Sequence, residues 1–424
     1  MSRETQNLRV ALDIGSTVIK VAMVNEAGSL VSQRFYSRDF DAGIVRQVES
    51  VLESLSLSPD SADVQVCSSA NGGLRVGIVC LTRRFSGAVL RDQALLAGAN
   101  PIFLHSFDEE PKHPSYADIL LVGGGIDCED AWPMRERLDH FDPERYRYTT
   151  LLYAGNKYLA GEFCRRFPSA VVVSNPLSHS LVRSNHSVFA TIRRAYLDDL
   201  VYKEGVSELR GNLSIGIRPT PEVVSLGFQC AVLNRSRIEV IAPCLLLDIG
   251  GATTDLHYTV EILKDNNGAR PVPMAGTSVG RYVFTDLGIV ASRDSLLLQM
   301  RSHPRLFEFL STVLTDEVTE TYRLFREGDY QPSAEVLAAA CLFLALDRFA
   351  LGHGPGLSAG DLAQLAQLIL TGGGAQVLTE VMAERIAGLL LPKSSKPAIL
   401  IDRNYQVWVE GMTFTGQKLA PAAV

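Results

Sequence analysis

Two near-copies of one acidic, glycine-rich turn constrain this chain more than any other feature: Asp13-Ile14-Gly15-Ser16-Thr17 and Asp248-Ile249-Gly250-Gly251-Ala252-Thr253-Thr254-Asp255. Each follows an apolar run of β character, Val10-Ala11-Leu12 or Leu245-Leu246-Leu247, and each leads into another, Val18–Val24 or Leu256–Val260. A strand, a tight turn and a return strand bring a carboxylate and backbone N–H groups to one spot, which suits phosphate oxygens and a magnesium ion. A single copy is better explained by an Asx turn that stabilises itself. Two copies with matching flanks imply two lobes closing on one nucleotide.

The chain has 424 residues, long for one core, so two domains are expected. The division falls near residue 240. Residues 1–240 form an N-terminal lobe with the first turn and a middle α/β region, and residues 241–424 form a C-terminal lobe. Strands are expected at Leu8–Asp13, Val18–Val24 and Leu30–Tyr36, with Asn25-Glu26-Ala27-Gly28 as a turn. Val64–Cys67 and Gly77–Leu81 flank Ser68-Ser69-Ala70-Asn71-Gly72-Gly73, and Phe85–Ala99 has helical spacing. The middle region alternates strands (Ile119–Val122, Leu151–Ala154, Ala170–Val173) with helices (Lys157–Phe167, and Ser187–Tyr202 with Ser187 as N-cap). That alternation predicts a largely parallel sheet. In the second lobe a loop, Asp265-Asn266-Asn267-Gly268, follows the strand pair. Helices are expected at Arg305–Arg326, Ser333–Leu351 and Leu357–Gln367, then a strand, Leu368–Leu370, enters Thr371-Gly372-Gly373-Gly374-Ala375. A helix over Gln376–Leu389 is expected next.

The chemistry centres on Asp13 and Asp248. Two carboxylates facing one another can hold Mg²⁺, directly or through its waters, beside a polyphosphate. Gly15, Ser16, Gly250 and Gly251 let the backbone approach phosphate closely. Thr17, Thr253 and Thr254 add hydroxyl donors, and Lys20 reaches phosphate as a point charge. Asp255, seven residues beyond Asp248, is a candidate for positioning the attacking water. Gly372, Gly373 and Gly374 leave room for an adenine and ribose against the backbone, although a triple glycine also serves a plain strand–helix connection. Gly123-Gly124-Gly125-Ile126-Asp127 has the same grammar in the middle region.

Several classes are excluded. There is no G-x-x-x-x-G-K-[ST], no G-x-G-x-x-G opening a βαβ unit and no H-E-x-x-H. The net charge of −7 with dispersed basic residues speaks against a nucleic-acid partner. The seven cysteines include no C-x-x-C pair and read as thiols in a reducing compartment. The longest apolar run, Val336–Leu346, is too short to span a bilayer, so a cytoplasmic protein without membrane contact is expected.

The order of these turns resembles the actin-like, sugar-kinase and heat-shock ATPase superfamily. The resemblance implies an α/β, two-lobed actin-like ATPase of duplicated ribonuclease H-like domains, with ATP and Mg²⁺ as cofactors. It puts Asp13 and Asp248 at the magnesium–phosphate centre, Asp255 nearby, and Gly372–Gly374 at the adenosine. Cys67-Ser68-Ser69-Ala70-Asn71-Gly72-Gly73-Leu74-Arg75, Leu121–Asp127, Tyr153-Ala154-Gly155-Asn156, Arg218-Pro219-Thr220-Pro221-Glu222, Asp248–His257 and Asp402-Arg403-Asn404-Tyr405 are similar to the MutL/GlmL family. That family accompanies adenosylcobalamin-dependent glutamate mutase and related mutases, and is unrelated to the mismatch-repair protein of similar name. The resemblance implies an ATP-dependent accessory or reactivating protein for a cobalamin-dependent mutase. No Asp-x-His-x-x-Gly cobalamin-ligand motif is present. A small-molecule kinase and an actin-like scaffold or filament protein with a weak site are the alternatives on the same fold.

Overall fold

The computed structural model describes residues 9–15, 18–25, 29–39, 42–57, 63–68, 74–109, 116–177, 187–204, 217–264, 279–303, 306–328, 331–354, 357–392 and 395–414. Ser16, Thr17, residues 26–28, 69–73 and 265–268, and Arg305 lie outside the described residues, with the expectations attached to them. The chain opens with β1 (Arg9–Ile14), β2 (Val18–Val24), β3 (Leu30–Ser37) and β4 (Asp63–Ser68). It then builds a separate parallel sheet from β5 (Arg75–Cys80), β6 (Asn100–Ser106), β7 (Tyr116–Gly124), β8 (Arg147–Gly155) and β9 (Val171–Val172), ordered β6-β5-β7-β8-β9. A short strand, β10 (Ile217–Pro219), returns to complete the first sheet in the order β10-β4-β1-β2-β3. The last sheet holds β11 (Cys244–Ile249), β12 (Thr254–Thr259), β13 (Val279–Phe284), β14 (Gln367–Thr371) and β15 (Ala398–Ile401), ordered β13-β12-β11-β14-β15.

The first and last sheets follow one scheme. A three-strand antiparallel meander is extended, on the far side of its first strand, by two parallel strands. This is a ribonuclease H-like sheet used twice, the two-lobed actin-like arrangement. The middle module is inserted in the first copy between β4 and β10.

Residues paired across strands share a face. In the first sheet one row runs Arg218, Cys67, Asp13, Lys20, Phe35. In the last it runs Thr371, Asp248, Asp255, Val283. The two opening turns therefore occupy equivalent places, and Lys20 is the counterpart of Asp255.

Each ribonuclease H-like sheet ends in a helix, Thr220–Val232 after β10 and Gln406–Thr413 after β15, and these two pack together. Val223, Val224, Phe228, Val407, Trp408 and Met412 share a core with Ala11, Ala22, Leu246 and Ile369 from both sheets. The helices cross at glycine. A Cβ on Gly227 would lie 1.9 Å from the Val407 carbonyl oxygen, and one on Gly411 would lie 1.9 Å from that of Val223. The C-terminal lobe has its own larger core around the Ala334–Leu351 helix, an almost wholly apolar segment. Ser333 Oγ caps its start, and Gly352, at φ +66°, ends it.

Several local expectations are corrected. Leu357–Gln367 is not a helix but a loop with one 3₁₀ turn, Leu362–Gln364, running into β14. Gly360 presses on the Phe349 ring, where any Cβ would clash, and Asp361 turns back to cap Ala363. The helix expected to end at Arg326 is two, Leu306–Ser311 and Asp316–Glu327. The hydroxyls of Ser311 and Thr312 bond back to the carbonyls of Glu308 and Phe309 at the break. Ser187 is the first residue of its helix, its hydroxyl donating to the Ser174 carbonyl. The segment after β14 is also broken, into Gly372–Ala375 and Glu380–Leu390, the latter capped by Thr379. No helix among the described residues is long and apolar enough to cross a membrane.

The glycine crossing generates a prediction. Gly227→Ala forces a methyl group into the Val407 carbonyl, so the two helices must separate. Stability in urea should fall by about 1–3 kcal/mol, the usual range for overpacking. An unchanged unfolding midpoint would show that the helices do not cross so closely.

Candidate functional site

Because β1 and β11 are internal strands of equivalent sheets, their carboxyl ends and the turns that follow face each other across one cleft of about 380 Å³. Its lining includes Asp13, Gly15, Lys20, Asp248, Gly250, Gly251, Thr253, Asp255 and Gly373. Of the other expected positions, Thr254, Gly372 and Gly374 are among the described residues, and packing decides each. Thr254, the first residue of β12, is buried, donates its hydroxyl to the Leu287 carbonyl at 2.7 Å and does not line the cleft. Gly372, at φ +87°, lies so close to Asp248 that a Cβ would come within 2.2 Å of Oδ1, and Gly374 is pressed against Ile249. These two glycines seat the chain on the second turn. Only Gly373 opens onto the cleft, with nothing within 4 Å of its would-be Cβ.

The backbone N–H of Gly15 donates to the Val18 carbonyl and that of Gly250 to the Thr253 carbonyl, so each turn uses its first glycine amide to close itself. The Gly123–Asp127 run does not line the cleft. It ends β7, where Asn156 donates to the Ile126 and Cys128 carbonyls and Asn175 to that of Gly125. The loop is thus held by protein groups.

The two turn carboxylates differ. Asp13 is 1% exposed and its oxygens are engaged: Lys20 Nζ lies 2.7 Å from Oδ2, and Thr220 Oγ1 donates to Oδ1 at 2.6 Å. Cys67 Sγ approaches Oδ1 at 3.5 Å and accepts from Trp408 Nε1. Asp248 is only half-buried. Desolvation, with Asp255, Asp13 and Asp402 nearby, raises its pKa to about 6 despite the opposing pull of Lys20. A desolvated carboxylate among other carboxylates is suited to a cation. Among the described residues no group of three or more His, Cys, Asp or Glu side chains forms a metal cage. A magnesium ion held by one carboxylate, waters and ligand phosphates fits this donor set, as is usual for that ion.

Lys20 is held in its charged form. Its pKa is raised by Asp13 and Asp248, although desolvation opposes them. Its ammonium also sits 4.9 Å above the Tyr405 ring. Asp255 is 9% exposed and accepts from Arg281 through Oδ1 and from Thr253 Oγ1 through Oδ2.

Residues not foreseen complete the site. Thr220 begins the first crossing helix, and Asp402 accepts from the N–H groups of Gln406 and Val407 at the start of the second. Tyr405 adopts a left-handed φ of +50°, 5.7 Å from the half-exposed Phe35 ring. Arg403 donates to the carbonyls of Gln376 and Leu378, tying this loop to the glycine segment. The runs Arg218–Glu222 and Asp402–Tyr405 stood out in the sequence only as family-like segments, with no role attached.

The fold and cleft define a two-lobed protein of actin-like architecture whose duplicated acidic turns meet at one site. The chain belongs to the MutL protein family, whose model matches residues 9–422. A relative named "Protein MutL" from Clostridium tetanomorphum is 26% identical over 305 residues, covering 67% of this chain and 65% of the relative's length. Among solved structures, the activator of the 2-hydroxyisocaproyl-CoA dehydratase from Clostridium difficile with bound ADPNP aligns at 12% identity and a TM-score of 0.32, covering 96% of this chain and 92% of that one. A ROK family glucokinase from Streptomyces griseus in complex with glucose and AMPPNP aligns at 10% identity and a TM-score of 0.33, covering 96% and 98%. The fold assignment rests on strand order and register, since likeness at these scores is slight.

The raised pKa of Asp248 generates a prediction for the protein without nucleotide or magnesium. The folded form binds this proton more tightly than the unfolded chain, whose carboxyl titrates near 3.9. The group is therefore neutral to stability at low pH and destabilising once pH has risen through about 6. Asp248→Asn should stabilise the protein at pH 7.5 by on the order of 1–3 kcal/mol, with the gain shrinking toward pH 4.5. Urea titrations at the two pH values check this, and a gain of equal size at both would contradict it.

Proposed function

We propose that this protein binds Mg-ATP between its lobes and hydrolyses it as an accessory, reactivating ATPase for an adenosylcobalamin-dependent mutase. The observation that carries the nucleotide reading is the facing pair of equivalent turns, one presenting Asp13 and Lys20 and the other Asp248 and Asp255, across a single cleft. In this reading Asp248 holds magnesium, directly or through waters, and Asp13 anchors Lys20 so that its ammonium meets a phosphate. The ion would neutralise charge on the phosphates. The Gly15, Gly250 and Gly251 backbone approaches the phosphates, while Gly373 leaves room for the nucleoside. Asp255 and Thr253 orient water on the far side of the second turn. Contacts to the terminal phosphate from both turns would draw the lobes together about the glycine crossing, and their loss on hydrolysis would release them.

The accessory role is supported by membership of the MutL family. The cleft alone would equally serve a small-molecule kinase, and the test separates the two. Calorimetry with Mg-ATP and Mg-ADP should give saturable binding, and steady-state turnover should fall roughly 10²-fold or more in Asp248→Asn. Addition of an adenosylcobalamin-dependent mutase from the same host should accelerate turnover. No binding by the wild-type protein would refute the nucleotide reading. Turnover that needs a small hydroxylated compound and ignores the mutase would favour the kinase.

A further inference from the structure

Arg281 is a buried cation that the cleft chemistry does not use. It lies on β13, the outer strand of the last sheet, and is 4% exposed. Through Nε, at 2.9 Å, and Nη2 it donates to Oδ1 of Asp255, a cleft carboxylate. Through Nη1 it donates to the Leu95 carbonyl, 186 residues away, in the last turn of the Ala88–Leu96 helix of the middle module. That carbonyl is at the electronegative end of a helix, where a cation is favoured. One guanidinium thus grips the nucleotide cleft with one edge and the neighbouring module with the other.

The surroundings make this contact a docking point. The Leu95 side chain is buried in the core of the C-terminal lobe although its helix belongs to the middle module. Arg91, one turn earlier, is buried, paired with Asp92 and electrostatically coupled to Tyr258 and Tyr282 on β12 and β13. The helix thereby packs on β13, the outer strand of the last sheet among the described residues.

We propose that Arg281 is a positioning residue that couples occupancy of the cleft to docking of the middle module, making that module the element through which nucleotide state is communicated. The proposal rests on the nucleotide reading above. Oδ1 of Asp255 takes two bonds from Arg281 and Oδ2 one from Thr253, so a shift of this carboxylate toward bound nucleotide or its water also moves the guanidinium and is passed to the Leu95 carbonyl. Coupling is reciprocal: a module held by Arg281 also holds Asp255 in place for the nucleotide. A lysine cannot replace the link, because it lacks two bonding edges at a fixed angle.

The test is hydrogen exchange of residues 88–99, with and without saturating Mg-ADP, in the wild type, Arg281→Lys and Arg281→Met. Binding is first measured in each by calorimetry. The wild type should show exchange slowed by about fivefold or more on nucleotide binding, the low end of ordinary coupling. Both variants, at saturation, should lose that response. A wild type that binds Mg-ADP without altered exchange overturns the proposal, as does a full response in Arg281→Lys. A wild type that does not bind Mg-ADP overturns the nucleotide reading instead, and calorimetry distinguishes the two failures. Should either Arg281 variant fail to fold, Asp255→Asn, which keeps side-chain shape but weakens the grip on Arg281, must lose the response. Its retention there would also overturn the proposal.

Discussion

One ammonium group stands among the carboxylates of the cleft, and the site is arranged around it. Lys20 bonds Asp13 at 2.7 Å and also feels Asp248. Removing either member of a buried pair leaves an uncompensated charge, so such a pair persists only where its remaining bonds are satisfied. Here they are. Thr220 supplies a hydroxyl to Asp13 and Tyr405 an aromatic face to Lys20. These two partners open the two crossing helices, so the charge cluster and the lobe interface are one structure.

That arrangement gives equivalent positions in the duplicated sheets different work. Asp13 is saturated by protein groups and acts inward, while Asp248 is half-buried, raised in pKa and directed at the cleft. Lys20 and Asp255 occupy the same register position with opposite charge. Lys20 is tied to its own turn, whereas Asp255 is tied by Arg281 to the middle module. Symmetric topology has become an asymmetric site, one lobe supplying a cation and the other an open carboxylate.

The glycines divide in a similar way. Gly372 and Gly374 exist for close packing on the second turn, Gly373 for open space, and Gly227 and Gly411 for the approach of two helices. Composition marks all of them alike; only their neighbours separate a cleft-lining glycine from a packed one.

Much of the fold was legible in the sequence by itself: the strand–turn–strand repeat, the parallel middle region, and the cleft positions of Asp13, Lys20, Asp248, Asp255 and Gly373. These follow from local apolar periodicity and turn chemistry, which act over a few residues. The same signals misread Leu357–Gln367, where apolar residues anchor a loop rather than line a helix, and could not tell that the Thr254 hydroxyl is buried on the Leu287 carbonyl. Tertiary structure alone decided that Thr220 reaches Asp13 across 207 positions, that Tyr405 lies beneath Lys20, and that Arg281 joins Asp255 to Leu95. Such contacts depend on how sheets and helices are brought together, and no periodicity records which distant side chains will share one buried space.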